Sequence, residues 1–95
     1  MSEDWRADVL ATLPYLRAQS FVRKNYTQYS PEWDHDHCAV CTIRFAEFDV
    51  EGEEVLHEGY AITADYDKGA DYEWICPECF DASKNRMDWK DVTKA

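Results

Sequence analysis

Between residues 31 and 80 the chain has almost no basic charge. That segment carries two basic side chains, Arg44 and Lys68, against fourteen acidic ones, a net of −12. Residues 1–30 and 81–95 each carry a net of +1, so the total of −10 is concentrated in the middle. Such a surface repels nucleic-acid phosphates and anionic lipid. Also lacking is any apolar run long enough to span a membrane. The start, Met1-Ser2-Glu3-Asp4-Trp5, is acidic where a secretory signal is basic, so no signal peptide is expected. There are no low-complexity tracts, and an aromatic content of 15% belongs to a folded chain. Finally, no histidine follows Cys79, and no cysteine falls outside two close pairs.

Those pairs are the strongest positive feature. Cys38-Ala39-Val40-Cys41 and Cys76-Pro77-Glu78-Cys79 are separated by 34 residues. Two residues between thiolates let both sulfurs reach one tetrahedral ion from a single tight turn. Two such turns close a four-sulfur site, with Zn–S distances of about 2.3 Å. The expected metal ligands are therefore Cys38, Cys41, Cys76 and Cys79, and the expected ion is Zn²⁺. Four thiolates leave no open coordination position, so the site is expected to hold a fold together and do no hydrolysis. Four thiols without a signal fit a reducing cytoplasm.

A chain of 95 residues makes one domain, or one domain with an arm, and buries a core modest enough to need a staple. The expected division is an N-terminal helical segment and extended arm over residues 1–30, then a four-cysteine zinc domain over 31–95. Residues 2–13 read as a helix, with Ser2 as N-cap and Trp5, Val9 and Leu13 in an apolar stripe. Pro14 ends it or starts another turn. Residues 21–29 read as a strand or an extended arm. Residues 43–48 and 55–63 read as two strands of a hairpin, joined by the polar turn Glu51-Gly52-Glu53-Glu54. A loop over 65–71 leads to a short strand at 72–75. From Pro77 a helix is expected, with Phe80, Ser83 and Met87 in helical spacing. The fold class is α+β, with the N-terminal helix packed on a zinc-stabilised core.

The order of cysteine turn, hairpin, and C-x-x-C opening a helix resembles the treble-clef and zinc-ribbon arrangements, over residues 34–89. The strings Trp33-Asp34-His35-Asp36-His37-Cys38, His57-Glu58-Gly59-Tyr60 and Trp74-Ile75-Cys76-Pro77-Glu78-Cys79-Phe80 are also similar to small bacterial or phage zinc-binding proteins of unassigned function. The resemblance implies metal binding and a cytoplasmic bacterial setting. Treble clefs host nucleases, ribosomal proteins and adaptors alike, so it implies no particular activity. Some acidic proteins of this size act as immunity proteins or inhibitors, which favours a partner-binding reading.

His35, His37 and His57 are the three histidines. They are expected to orient the first cysteine turn through hydrogen bonds, the alternative being a second metal site with Asp34 and Asp36. A nuclease of the His-metal-finger type would use His57 beside Glu58, but it also needs a histidine on the last helix, where Asn85 is the weak substitute. A thiol redox role would use Cys76 at a helix N-terminus. Trp33, Trp74 and Phe80 are expected to shield the cysteine turns, and Trp5 and Tyr15 to pack the first helix over the hairpin. The reading adopted is a non-enzymatic, acidic, cytoplasmic interaction module, of inhibitor or immunity type, whose partner presents a basic surface. The alternative is a structural zinc adaptor that meets nucleic acid or a larger complex through Arg17, Arg23, Lys24, Lys84, Arg86 and Lys90. The charge argues against nucleic acid, and no membrane partner is expected.

Overall fold

The computed structural model describes residues 4–93. Ser2, the expected N-cap, lies outside the described residues. Helix α1 (Asp4–Leu10) ends three residues earlier than expected. Beyond it the backbone tightens to i→i+3 bonds, Thr12 N–H to Val9 and Leu13 N–H to Leu10. The cause is Pro14, which drives the residue before it out of the helical region. A single 3₁₀ turn, Pro14–Leu16, follows and buries Leu16 completely.

Strand β1 (Ser20–Asn25) then enters the centre of a four-stranded sheet. Its neighbours are β5 (Glu58–Ile62), antiparallel with Phe21 opposite Ile62, and β7 (Lys90–Asp91), parallel with Ser20 opposite Lys90. Strand β6 (Trp74–Ile75) pairs antiparallel with β5 at the far edge. A second sheet has three short strands in chain order: β2 (His35–His37), β3 (Arg44–Ala46) and β4 (Val55–Leu56). The architecture is α+β, with mixed sheets and two helices among the described residues.

The expected hairpin of residues 43–48 with 55–63 does not form. β3 lies antiparallel to β2 and parallel to β4, while β5 pairs with β1. The hairpin that exists is β2–β3, and its tip is the first cysteine turn. Residues 47–54 swing the chain back so that β4 re-enters parallel to β3.

Helix α2 (Pro77–Met87) covers the large sheet. Phe21 of β1, Phe80 of α2 and Trp89 make a cluster with ring centroids 5.2–5.7 Å apart, and Tyr60 stacks on Phe80 at 3.8 Å. Trp89 also donates its indole N–H to the Leu16 carbonyl at 2.8 Å, tying the 3₁₀ turn to the end of α2. The helix stops at Asp88, which adopts the left-handed conformation (φ 59°) while its N–H bonds Lys84.

The buried face of α1 is rotated from the expected stripe. Arg6 and Leu10 are buried, Val9 and Leu13 pack at the margin, and Trp5 is 40% exposed. Tyr15 is 49% exposed, so neither Trp5 nor Tyr15 fastens the helix to the sheet as expected.

One close approach joins the two sheets. A Cβ placed on Gly59 of β5 would lie 2.5 and 2.7 Å from ring carbons of Phe45, and 3.1 Å from the Ile75 carbonyl oxygen. Phe45 is itself fully buried against Tyr26 and Trp74, so its ring has nowhere to retreat. Gly59→Ala is therefore expected to cost about 1–3 kcal/mol, as overpacked cores do. Urea unfolding checks this: the midpoint falls while the slope stays constant. An unchanged midpoint would mean that the sheets separate at no cost.

Candidate metal centre

The two cysteine turns are built differently. In the first, Cys38 leaves β2 and the backbone closes on itself: the Cys38 N–H bonds Ile43 O at 2.8 Å and the Thr42 N–H bonds Cys38 O at 2.9 Å. Thr42 makes the sharp exit with φ 67°, a strained setting for a β-branched residue. In the second, Cys76 is the N-cap of α2. Its backbone is extended, Pro77 follows at the first helical position, and its sulfur accepts the Cys79 N–H at 3.4 Å.

The sulfurs converge. The ligand atoms of Cys38, Cys41, Cys76 and Cys79 all lie within 4.8 Å of one another, and Cys41 Sγ is 3.7 Å from Cys76 Sγ. A tetrahedron with metal–sulfur bonds of about 2.3 Å has edges of about 3.8 Å, so the spacing fits one ion. It is far too long for a disulfide, whose bond is about 2.05 Å, and all four cysteines are free. Cys38, Cys76 and Cys79 are buried and Cys41 is partly so.

Backbone N–H groups aim at the sulfurs. Cys38 Sγ accepts from Val40 at 3.4 Å, from Cys41 at 3.5 Å and, across the site, from Cys76 at 3.3 Å. These donors favour thiolate over thiol. The Cys38 thiol is pulled far down, first by the thiols of Cys76 and Cys79 and then by these backbone donors. Sharing with Cys38 pushes Cys76 and Cys79 up in return.

Sequence reasoning missed Arg6. It lies in α1, only 9% exposed, and its Nε donates to Cys79 Sγ at 3.4 Å. Its other end approaches the exposed Glu78 carboxylate at 3.6 Å. An arginine on the inner face of a short helix carries no local signal of this role. It becomes legible only once the Cys79 sulfur is seen 73 residues away.

The histidines stand apart from the sulfurs. Among the described residues, the four cysteines are the group whose ligand atoms converge, and no second group forms around the histidines. His35 Nδ1 pairs with Asp34 at 2.9 Å and its ring meets His37 edge-on. His57 is held between the Ala46 carbonyl at 2.7 Å and Asp49 at 2.8 Å. The Ala46 bond, then Asp49, raises its pKa above the ordinary 6.5. His57 thus braces the loop after β3 rather than the cysteine turn. Of the aromatic shields, Trp74 and Phe80 are buried as expected. Trp33 is half-buried, packed on Tyr29 and Tyr72, with its indole N–H on Asp36. No helix among the described residues is long and apolar enough to cross a membrane.

Comparison of the chain with protein-family models, with curated proteins and with solved structures returns no match in any of the three.

Proposed function

We propose that the four cysteines hold one structural zinc ion, and that the protein is a non-enzymatic, acidic interaction module whose partner presents a basic surface. The metal reading is carried by the convergence of four free sulfurs at tetrahedral spacing. Zinc suits an all-thiolate, closed site, and there it supplies cross-linking rather than Lewis-acid chemistry. Such thiols belong in a reducing cytoplasm. The order of cysteine turn, strands and cysteine-capped helix supports a treble-clef-like module, although the parallel pairing of β3 with β4 departs from its simple hairpin.

The interaction reading is carried by where the acid sits. Glu47, Asp49, Glu51, Glu53 and Glu54 are all exposed on the loop between β3 and β4. Several basic residues of the two ends are engaged internally. Arg23 pairs with Glu58, Lys24 with Asp71 and Lys84 with Asp81, and Arg17 donates to the Arg86 carbonyl. Half of the basic residues named for the nucleic-acid alternative are thus paired with carboxylates. An exposed acidic field steers a basic partner and raises the on-rate more than the final affinity.

The test is capture of a partner from the native host, followed by association kinetics. The on-rate should fall steeply as salt rises to physiological strength, where the screening length is about 8 Å. Glu51→Gln with Glu54→Gln should slow association several-fold and leave the melt unchanged, because exposed charges contribute little stability. Glu53 is better kept, since it holds Arg44 at 2.8 Å. A salt-independent on-rate would reduce the acid to a solubilising surface.

A further inference from the structure

Away from the cysteines, the loop after β5 folds back over the sheet edge. Tyr66 N–H bonds Thr63 O at 3.1 Å, Gly69 N–H bonds Tyr66 O at 2.9 Å and Asp71 N–H returns to Ile62 O at 2.8 Å. Behind this loop is an open cavity of about 420 Å³, lined by Tyr15, Gln19, Tyr66, Asp67, Lys68, Tyr72 and Glu73. Three of the six tyrosines of the chain meet there. Tyr66 is buried, Tyr72 is half-buried with its ring 6.2 Å from that of Tyr66, and Tyr15 stands 49% exposed at the mouth.

Two observations say what charge this cavity takes. The first is the placement of Lys68. Its ammonium lies over the Tyr72 ring, 5.6 Å from the centroid, so the aromatic wall already carries a cation supplied by the chain itself. The second is that two carboxylates, Asp67 and Glu73, stand in the lining, and the cation that acts on Glu73 is Lys68 itself. Glu73 is held above the ordinary carboxylate range by burial and by Asp36, with Lys68 opposing. Aromatic faces backed by carboxylates are the chemistry that recognises alkylated ammonium groups.

We infer that the Tyr15–Tyr66–Tyr72 cavity is a binding site for an organic cation, with Lys68 occupying its aromatic wall until a ligand displaces it. The tyrosine rings supply cation–π attraction and van der Waals contact, and Asp67 and Glu73 supply the counter-charge. The shared chemistry is a substituted ammonium, whether free or at the end of a lysine side chain. The site is separate from the acidic loop between β3 and β4. Failure of the partner reading leaves it untouched, and its own failure leaves that reading intact.

The test uses the full, metal-loaded chain and tetramethylammonium as probe, followed by the ring-proton resonances of the tyrosines. Saturable shifts of Tyr15, Tyr66 and Tyr72 are expected, with none from the neutral isostere tert-butanol. Tyr15→Leu, at an exposed position, should weaken binding on the order of tenfold. Lys68→Met should strengthen it several-fold, because the competing cation is gone. A short neutral-ended peptide bearing one trimethyl-lysine separates the two sources. Tighter binding than the free ion points to a protein side chain, and weaker binding to a small metabolite. Equal shifts from tert-butanol, no saturation, or a Lys68→Met variant that binds more weakly would each overturn the inference.

Discussion

A strong chelator is expected to unfold the whole chain in one transition, and elemental analysis of the untreated protein is expected to give about one zinc per chain. The reason lies in what the four cysteines join. Cys38 and Cys41 form the tip of the β2–β3 hairpin, while Cys76 caps α2 and Cys79 lies in its first turn. The two turns meet through the Cys76 N–H on Cys38 Sγ and the Ala39 N–H on Trp74 O. Cys79 is followed directly by Phe80, whose ring packs on Phe21 and Tyr60 of the large sheet. Arg6 carries the link on to α1 through Cys79 Sγ. Loss of the ion removes binding free energy on the order of 10 kcal/mol. A domain of this size has a total stability of about 5–15 kcal/mol, so little remains. Cys79→Ser should reproduce the effect, with far-UV circular dichroism losing sheet and α2 signal together. If the chelated protein and Cys79→Ser both melt like the wild type, the cluster is not structural.

How far the sequence reveals this arrangement depends on whether the information is local. The convergence of the four cysteines is legible because C-x-x-C geometry is settled within four residues. The start of α2 is legible for the same reason, as Pro77 fits only the first helical turn. Strand pairing is not local. Residues 43–48 and 55–63 look like a hairpin from their spacing, yet the polar stretch between them is long enough to let β4 return parallel to β3. β1 reads as a strand or an arm because four of its six residues are polar. It takes the centre of the sheet because Phe21 alone meets Ile62, Phe80 and Trp89. The α1 stripe fails by one position: Trp5 looks like the best anchor, but the inward place goes to Arg6, whose partner is the Cys79 sulfur, which no helical periodicity can register.

Trp74→Ala is expected to have the largest effect of any substitution outside the cysteines, a loss of about 3–5 kcal/mol. Its side chain is 1% exposed, and its ring lies 4.8 Å from Tyr26 and 5.5 Å from Phe45. The indole N–H donates to Asp71 O at 3.0 Å, which fixes the end of the loop before β6. Its backbone pairs with Ala61 on one side and bridges to Cys38 on the other. Trp74 is thus where the large sheet, the small sheet and the first cysteine turn meet. Truncation opens a cavity between the rings of Tyr26 and Phe45. Metal affinity should fall along with stability, since a site that forms only in the folded chain loses binding energy as folding weakens. Trp74→Phe separates packing from the hydrogen bond. It keeps much of the volume and frees the Asp71 carbonyl, so an intermediate loss of about 1–2 kcal/mol is expected. Urea midpoints at saturating zinc measure the stability terms, and competition with a chromogenic chelator measures affinity. A Trp74→Ala variant within about 1 kcal/mol of the wild type, with unchanged zinc affinity, would show that the two sheets and the metal turn hold their places without this side chain.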